Sequence, residues 1–339
     1  MRHFVVVGIL VILASVLLSI GLERAHLMPE AASVQAGPID WMWNIQLVAM
    51  SFLFSLIFVP MVYSLIVFRR RKGDTSDGMH IEGNTNLELA WSTIPLVVVV
   101  IFSVIGAENL AETIRRNPSA MAVKVTGIQW SWRFEYPPDP ETGITVISEE
   151  LHLVVGEPIL LQMTSTDVIH SFWVPEFRVK QDLVPGRITE LSITPTMEGD
   201  FVVRCAELCG TSHAYMEKPV VVSSQENFDA WYAGQLEISA ELAATPEGHG
   251  QLLVAQNGCE ACHSINGAAG IGPTWLGLFG SEVELSDGTT VFADEAFIIE
   301  SISQPQAKIV RGFENQQMVQ YTFTDEELAA LVAYIRTLK

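Results

Sequence analysis

The chain has 339 residues, with 39 acidic against 19 basic side chains, a formal charge of −20 and 49% hydrophobic residues. That acidity leaves no basic face with which to neutralise phosphates, so nucleic acid is excluded as an expected partner. The length allows two or three well-filled cores. All four cysteines fall beyond residue 200 in two close pairs, a pattern of sites rather than of a disulfide scaffold.

Residues 4–22 (FVVVGILVILASVLLSIGL) form an apolar run behind Arg2 and His3 that suits either a signal peptide or a retained anchor helix. The run exceeds the usual signal core, and the small-residue candidate Val34-Gln35-Ala36 lies far downstream, which favours the anchor. Residues 45–67 are uncharged and, at about 1.5 Å rise per residue, long enough to cross a hydrocarbon layer of roughly 30 Å, with a kink allowed at Pro60. The basic cluster Arg69, Arg70, Arg71 and Lys72 stays on the cytoplasmic side. Residues 89–107 then return across the bilayer, which puts everything from about Glu108 onward outside the cytoplasm. The expected location is a bacterial-type plasma membrane, spanned more than once.

From Met121 to about Ser223 the texture changes to short Val, Ile and Thr-rich segments between Pro/Gly turns: MAVKVTGIQWSWRFEY, GITVISEELHLVV, PILLQMTSTD, ITELSITP, DFVVRCAE and KPVVVS. These predict a Greek-key β-sandwich. SQENFDAWYAGQLEISAELAA predicts an acidic helical connector, and Thr245-Pro246-Glu247 a helix start. The remainder to Lys339 reads as mostly helical, closing on the capped amphipathic segment TDEELAALVAYIRTL after Thr324.

In this last region NGCEACHSI carries Cys259, Cys262 and His263 in the C-x-x-C-H arrangement that attaches c-type haem. Two thiols a helical turn apart can add to two vinyl groups of one haem, and the adjacent imidazole reaches the iron. A disulfide or half a zinc site would use the same pair, but the extracytoplasmic placement and the neighbouring histidine favour haem. By elimination the axial ligand falls on Met318, the only methionine downstream of His263. An ordinary core methionine is the alternative for Met318, and His249 the other candidate ligand. The turn GIGPTWLGLFG, with Gly272 and Pro273, resembles the cytochrome c family, in which a proline carbonyl receives the histidine's free N–H and fixes its tautomer.

The loop RCAELCGTSHAYMEKP gathers Cys205, Cys209, His213 and Met216. Thiolates select copper or zinc, imidazole suits both, and a thioether is a poor zinc ligand but a frequent copper one. Upstream, STDVIHSFWVP places His170 just after a strand, where a Greek-key sandwich could bring it beside the loop. Two cysteines and two histidines can hold two copper ions if both thiolates bridge. A disulfide or a single zinc at Cys205 and Cys209 is the other reading.

C-x-E-x-C-x-x-x-H-x-x-M with an upstream histidine resembles the binuclear copper (CuA) domain of cytochrome c oxidase subunit II, and the appended haem region resembles the caa-type oxidases. The resemblance implies a multidomain membrane protein with a transmembrane helical hairpin, with or without a preceding N-terminal helix, a cupredoxin-like Greek-key β-sandwich and a C-terminal all-α cytochrome c domain. Its divisions are 1–36 for the signal peptide or anchor, 37–112 for the hairpin, 113–223 for the copper domain, 224–244 for a helical linker and 245–339 for the cytochrome c domain. Carried over, the family implies Cys205 and Cys209 as bridging thiolates and His170 and His213 as terminal ligands. It adds Met216 as a weak ligand and the Glu207 main-chain carbonyl as another, with the Glu207 side chain facing Mg²⁺ or Mn²⁺ at the subunit I interface. GIQWSWRFEY implies Trp130 as the point where electrons arrive from cytochrome c, against a packed aromatic. NTNLELAWSTIP implies Glu88 as the acid that admits protons, against a carboxylate favoured by a helix N-terminus.

The implied partners are oxidase subunit I, with its haem a and haem-CuB centres, subunit III, and a soluble or membrane cytochrome c or other small redox donor. The chain has no haem a or CuB ligand set, so oxygen reduction belongs to the partner. Rival readings are a membrane-anchored copper-storage or delivery protein, a nitrous-oxide-reductase-like protein, and a quinol oxidase subunit II. The second needs a large His-rich catalytic domain, and the third lacks the copper ligands present here. His152 matches no ligand position and reads as a strand residue.

Overall fold

The structure, a computed structural model, describes residues 1–339 except Ser76, Met79 and Gln317. It divides into two compact units: residues 1–31 with 35–115, and residues 32–34 with 116–339.

The first unit holds α1 (Arg2–Arg24), α2 (Ala36–Val67) and α3 (Thr85–Thr113). All three are long and apolar enough to cross a membrane. α2 begins well before the uncharged run that predicts it and continues through Pro60, as membrane helices permit when neighbouring groups satisfy the freed carbonyl. α1 packs against α2, and the side chains buried on the two helices are small, Val11 on α1 and Ser51 and Ser55 on α2. Small residues let two backbones approach closely in lipid. α3 starts at the N-cap Asn84, whose side chain accepts from the Leu87 amide, and it buries none of its side chains fully. Asn109 ties it to α2 by donating to the Pro38 carbonyl at 2.9 Å.

The second unit begins as a two-sheet sandwich. The segment expected as one strand at 121–136 is a hairpin, β1 (Met121–Ile128) and β2 (Ser131–Glu135), with Ile128 opposite Ser131. The next segment likewise splits into β3 (Ile147–Ser148) and β4 (Leu151–Val154), followed by β5 (Ile159–Ser165). His170, expected just after a strand, follows β5 and itself opens β6 (His170–Trp173), and β7 (Lys180–Leu183) pairs with it. Both strands are short, and the sequence reading does not mark them. β8 (Thr189–Ile193), β9 (Gly199–Cys205) and β10 (Glu217–Ser223) complete the set.

One sheet runs β3-β2-β1-β5-β8 and the other β4-β10-β9-β6-β7. Period-2 alternation sends Ile159, Leu161 and Met163 of β5 and Phe201, Val203 and Cys205 of β9 inward. Trp132, Phe134, Phe172 and Leu183 fill the space between the sheets. Cys205 is therefore the last inward position of its strand, where apolar packing gives way to the loop. His152 lies on β4, as expected of a strand residue.

The connector folds as α4 (Gln225–Ala243) and packs on the sandwich through aromatics. Trp231 stacks on His152 with centroids 3.9 Å apart and meets Tyr136 edge-on at 5.2 Å. The Tyr232 hydroxyl donates to the Pro137 carbonyl at 3.1 Å. α5 (Pro246–Asn257) follows, capped by Thr245 and ended by Gly258 in the left-handed region at φ 64°.

A hairpin absent from the helical expectation, β11 (Glu282–Glu284) and β12 (Thr290–Phe292), precedes α6 (Glu295–Ser303) and α7 (Asp325–Thr337). α7 opens with a capping box between Thr324 and Glu327. Around α5, α6 and α7 lies a helical core that includes Leu253, Phe297, Ile298, Leu331 and Ile335. α5 and α7 cross so closely at Gly250 that a Cβ there would collide with the Ala330 carbonyl. Gly250→Ala should destabilise this lobe by about 1–3 kcal/mol through overpacking. A lowered denaturant midpoint in the helical circular dichroism of the detergent-solubilised protein is the measurement that checks it.

Candidate metal and haem centres

The antiparallel register of β6 and β9 sets Phe172 opposite Cys205. His170, two residues upstream and so on the same face, comes beside the loop that follows Cys205. The space is made by Gly127, where a Cβ would lie 2.9 Å from the His170 ring, and Trp132 meets that ring edge-on at 6.3 Å. Cys205 Sγ stands 3.9 Å from His170 Nδ1, 3.2 Å from the Glu207 carbonyl and 3.7 Å from Cys209 Sγ. Cys209 Sγ in turn stands 3.5 Å from His213 Nδ1 and 3.8 Å from Met216 Sδ. Each sulfur thus has one imidazole and one further donor around it. His170, Cys205, Cys209 and Met216 are all buried, and both cysteines are free thiols.

Asp167 organises this cluster, and the sequence reading does not single it out. Its carboxylate takes a hydrogen bond from His170 Nε2 at 2.8 Å, which leaves Nδ1 as the acceptor nitrogen facing the sulfurs. The Gln129 amide donates to the other carboxylate oxygen at 2.7 Å. Burial would raise the pKa of Asp167, but these bonds and that from the Val168 amide outweigh it and hold the group below its ordinary value. His170 is also desolvated, which lowers its pKa, yet the bonds to Asp167 and Cys205 raise it overall. Burial pushes both thiols up. At Cys205 the bonds from His170 and the backbone prevail and bring it down to about 6, whereas at Cys209 burial and the Cys205 charge hold the proton on.

The Glu207 side chain is exposed on the loop, beside Leu208 and Tyr215, which are 80% and 84% exposed. Glu88, in the first unit, accepts from the Asn84 amide at 3.2 Å in the first turn of α3. That bond is what a carboxylate at a helix N-terminus makes for structural reasons alone.

In the C-terminal lobe, Gly258 ends α5 so that Cys259, Cys262 and His263 follow on a tight turn, with the His263 amide donating to the Cys259 carbonyl at 3.0 Å. The ring Nδ1–H of His263 donates to the Pro273 carbonyl at 2.8 Å, and the ring stacks on Trp275 at 4.9 Å. Gly272 passes so near that a Cβ there would lie 2.7 Å from His263 Cε1. Burial lowers the pKa of His263 despite the Pro273 bond, which keeps the imidazole neutral with Nε2 free. Burial also raises Cys259 to about 12 and lifts Cys262.

These groups line a cavity of about 410 Å³ that Met318 also lines, and His249 is not among the described residues around it. The same cavity is walled on one side by Gln129, Trp130 and Asp167 of the sandwich. Trp130 Nε1 is buried there with no partner among the described residues, and a Cβ at Gly210 would lie 2.8 Å from its ring.

Soft donors gathered at the edge of a sandwich, next to a C-x-x-C-H cavity, are the equipment of a protein that moves single electrons. The families whose sequences match are "Cytochrome C oxidase subunit II, transmembrane domain" at residues 19–107, "Cytochrome C oxidase subunit II, periplasmic domain" at 141–225 and "Cytochrome c" at 249–339. Cytochrome c oxidase subunit 2 of Synechocystis sp. is 36% identical over 269 residues, covering 66% of this chain and 80% of the relative. The protein of the same name from Alkalihalophilus pseudofirmus is 29% identical over 313 residues, 88% of each chain. That from Cereibacter sphaeroides is 34% identical over 259 residues, 64% of this chain and 84% of the relative.

The chain belongs to the cytochrome c oxidase subunit 2 family. It is a subunit of the oxidase complex, with a cytochrome c segment fused at its C-terminal side, and its membership implies a copper centre and haem c.

The contrast between the two thiols is directly testable. In metal-free protein a small alkylating reagent should modify Cys205 at pH 7, because the folded state favours its thiolate above about 6. As the pH falls through that value the thiolate is protonated and the modification should stop, while Cys209 stays unmodified throughout. Peptide mass spectrometry after timed labelling reads both sites.

Proposed function

We propose that this chain is the subunit through which electrons enter a caa-type (aa3) cytochrome c oxidase. Electrons pass from an external donor through haem c and a binuclear copper centre to subunit I, which reduces O2 to water with proton translocation. The observation that carries this reading is that the sulfur–imidazole cluster and the C-x-x-C-H cavity lie in one compact unit and share Gln129, Trp130 and Asp167 as a common wall. The extracytoplasmic placement of both lobes follows from the basic cluster Arg69–Lys72 and the positive-inside rule. The five divisions of the chain at 36, 112, 223 and 244 belong to the same proposal.

The donor chemistry fits the groups. Cys205 and Cys209 would bridge two copper ions, with His170 and His213 as terminal ligands and the Met216 thioether and Glu207 carbonyl as weaker ones, a soft set that copper favours over zinc. Asp167 fixes the His170 tautomer, as a carboxylate behind a ligand imidazole does. The thiols of Cys259 and Cys262 would carry the haem. Pro273 orients His263, and the gap opposite Gly272 accommodates its ring. Met318 would be the second axial ligand. When bound, these groups supply reversible one-electron chemistry at buried soft ligands.

Exposed Leu208, Tyr215 and Glu207 on the copper loop support a face turned toward subunit I, with Glu207 reaching a Mg²⁺ there. Subunit III completes the proposed assembly. Glu88 at the start of α3 would stand where protons enter toward subunit I, and its bond to the Asn84 amide is compatible with that place. Trp130, the expected arrival point for electrons from cytochrome c, would stand where the haem lobe meets the copper domain, lining the haem cavity.

Metal analysis decides the first point. The purified chain should contain two copper per haem and show a delocalised mixed-valence EPR signal that Cys209→Ser abolishes, whereas one zinc per chain from copper-replete cells sinks the assignment. A second expectation concerns the haem. Met318→Leu should leave it covalently attached but lower its midpoint potential, since a methionine axial ligand raises that of a His-ligated iron. An unchanged potential in redox titration would remove Met318 from the coordination sphere.

A further inference from the structure

Between the copper-type cluster and the haem cavity stands one residue, Gln129, whose backbone N–H, side-chain amide nitrogen and backbone carbonyl face one or the other. Gln129 follows the end of β1. Its side-chain Nε2 donates to the Cys209 carbonyl at 2.6 Å. Its backbone N–H donates to Asp167 Oδ2 at 2.7 Å, and the other oxygen of that carboxylate accepts from His170 Nε2 at 2.8 Å. On the opposite side its backbone carbonyl lies 3.9 Å from Cys262 Sγ, at the rim of the cavity that Gln129, Asp167 and Cys262 all line.

We propose that Gln129 is the bridge for electrons between the two centres, coupling the Cys262 sulfur to the copper ligands by two hydrogen-bonded branches, one to Cys209 and one through Asp167 to His170. The inference rests on the relay reading above and adds the route. Electronic coupling falls off more slowly through covalent and hydrogen bonds than across an unbonded gap, and the Gln129 route contains a single non-bonded step, that from Cys262 Sγ to the carbonyl. Among the described residues the neighbouring Trp130 indole offers no hydrogen-bonded alternative, because its buried Nε1 has no partner there. In the transfer the ferrous haem iron loses one electron and the oxidised copper pair gains it. No proton moves, and no bond to Gln129 forms or breaks.

The geometry also explains why this position suits glutamine. A group that must reach the Cys209 carbonyl has to donate, so a carboxylate is excluded. It must also do so without charge, since it sits beside Asp167 in a poorly hydrated wall. Leucine has similar bulk and removes only the donor. Glutamate keeps the length and removes the donor while adding charge.

The test uses the full chain loaded with copper and haem, as wild type, Gln129→Leu and Gln129→Glu. Two readouts are taken after metal analysis: the rate at which photoreduced haem passes its electron to copper, and the relaxation enhancement that ferric haem imposes on the copper EPR signal in the oxidised protein. The second depends on the separation and orientation of the centres and not on bonded coupling. The expected result is a transfer rate several-fold slower in both variants with the relaxation enhancement unchanged.

Transfer at the wild-type rate in the variants overturns the inference. So does a slower rate accompanied by lost relaxation enhancement, which makes Gln129 a docking residue, and so does loss of copper, which makes it part of the centre's scaffold. Failure of the wild-type chain to transfer at all overturns the relay reading itself and the bridge with it, which separates the two failures.

Discussion

Two cysteine sulfurs 3.7 Å apart in a pocket almost closed to water cannot both carry a negative charge unless a cation joins them. The thiols divide accordingly, with Cys205 favoured as thiolate and Cys209 kept protonated by burial and by its neighbour's charge. Much of the sandwich around them serves this constraint. The β6–β9 register delivers His170 to the first sulfur, Gly127 leaves room for its ring, and Asp167 holds the far nitrogen so that the near one stays available. Met216 adds a polarizable, uncharged donor to the second sulfur and costs no further desolvated charge. The cluster is a set of strong ligands whose electrostatics improve when metal replaces a proton.

The haem lobe solves a related problem by different means. Its imidazole is buried and neutral, oriented by one carbonyl and one aromatic face, and the helices that carry it cross at a glycine because nothing larger fits against the Ala330 carbonyl. The lobe is joined to the sandwich through α4, whose Phe228, Trp231 and Tyr232 pack on Tyr136 and His152. An aromatic cluster of this kind is insensitive to salt. That suits two acidic lobes whose charges give no help in docking.

The sequence makes plain what depends on composition or short spacing. The membrane helices announce themselves by uncharged length, the helix starts at Thr245 and Thr324 by their caps, and both ligand loops by cysteine spacing. It hides what depends on pairing. The turn between β1 and β2 falls at Gln129-Trp130, which carries no Gly, Pro or Asn to mark it, so two strands read as one. β6 and β7 are four residues each, too short to show periodicity.

The β11–β12 hairpin did carry a signal, Asp287-Gly288 between alternating residues, but helical surroundings masked it. Asp167 was legible in principle as an acid three residues before His170. Gln129 was not, because its meaning arises only when β1, the copper loop and the haem turn converge.

That convergence also changes the sense of Trp130. In a subunit without a fused haem lobe, an aromatic at this place would have to meet a diffusing partner, with the long-range electrostatics such encounters need. In this chain the same indole lines the cavity of the C-terminal lobe, and its surroundings are already protein. In the proposed relay, tethering would replace the diffusional encounter by an intramolecular contact at an effective concentration of roughly millimolar, so the wall would need neither a basic partner nor charge complementarity. Under the proposed relay an external donor would meet the acidic surface of the haem lobe instead of the sandwich. Donor recognition would then fall on that lobe, leaving the wall at Gln129, Trp130 and Asp167 with one permanent neighbour.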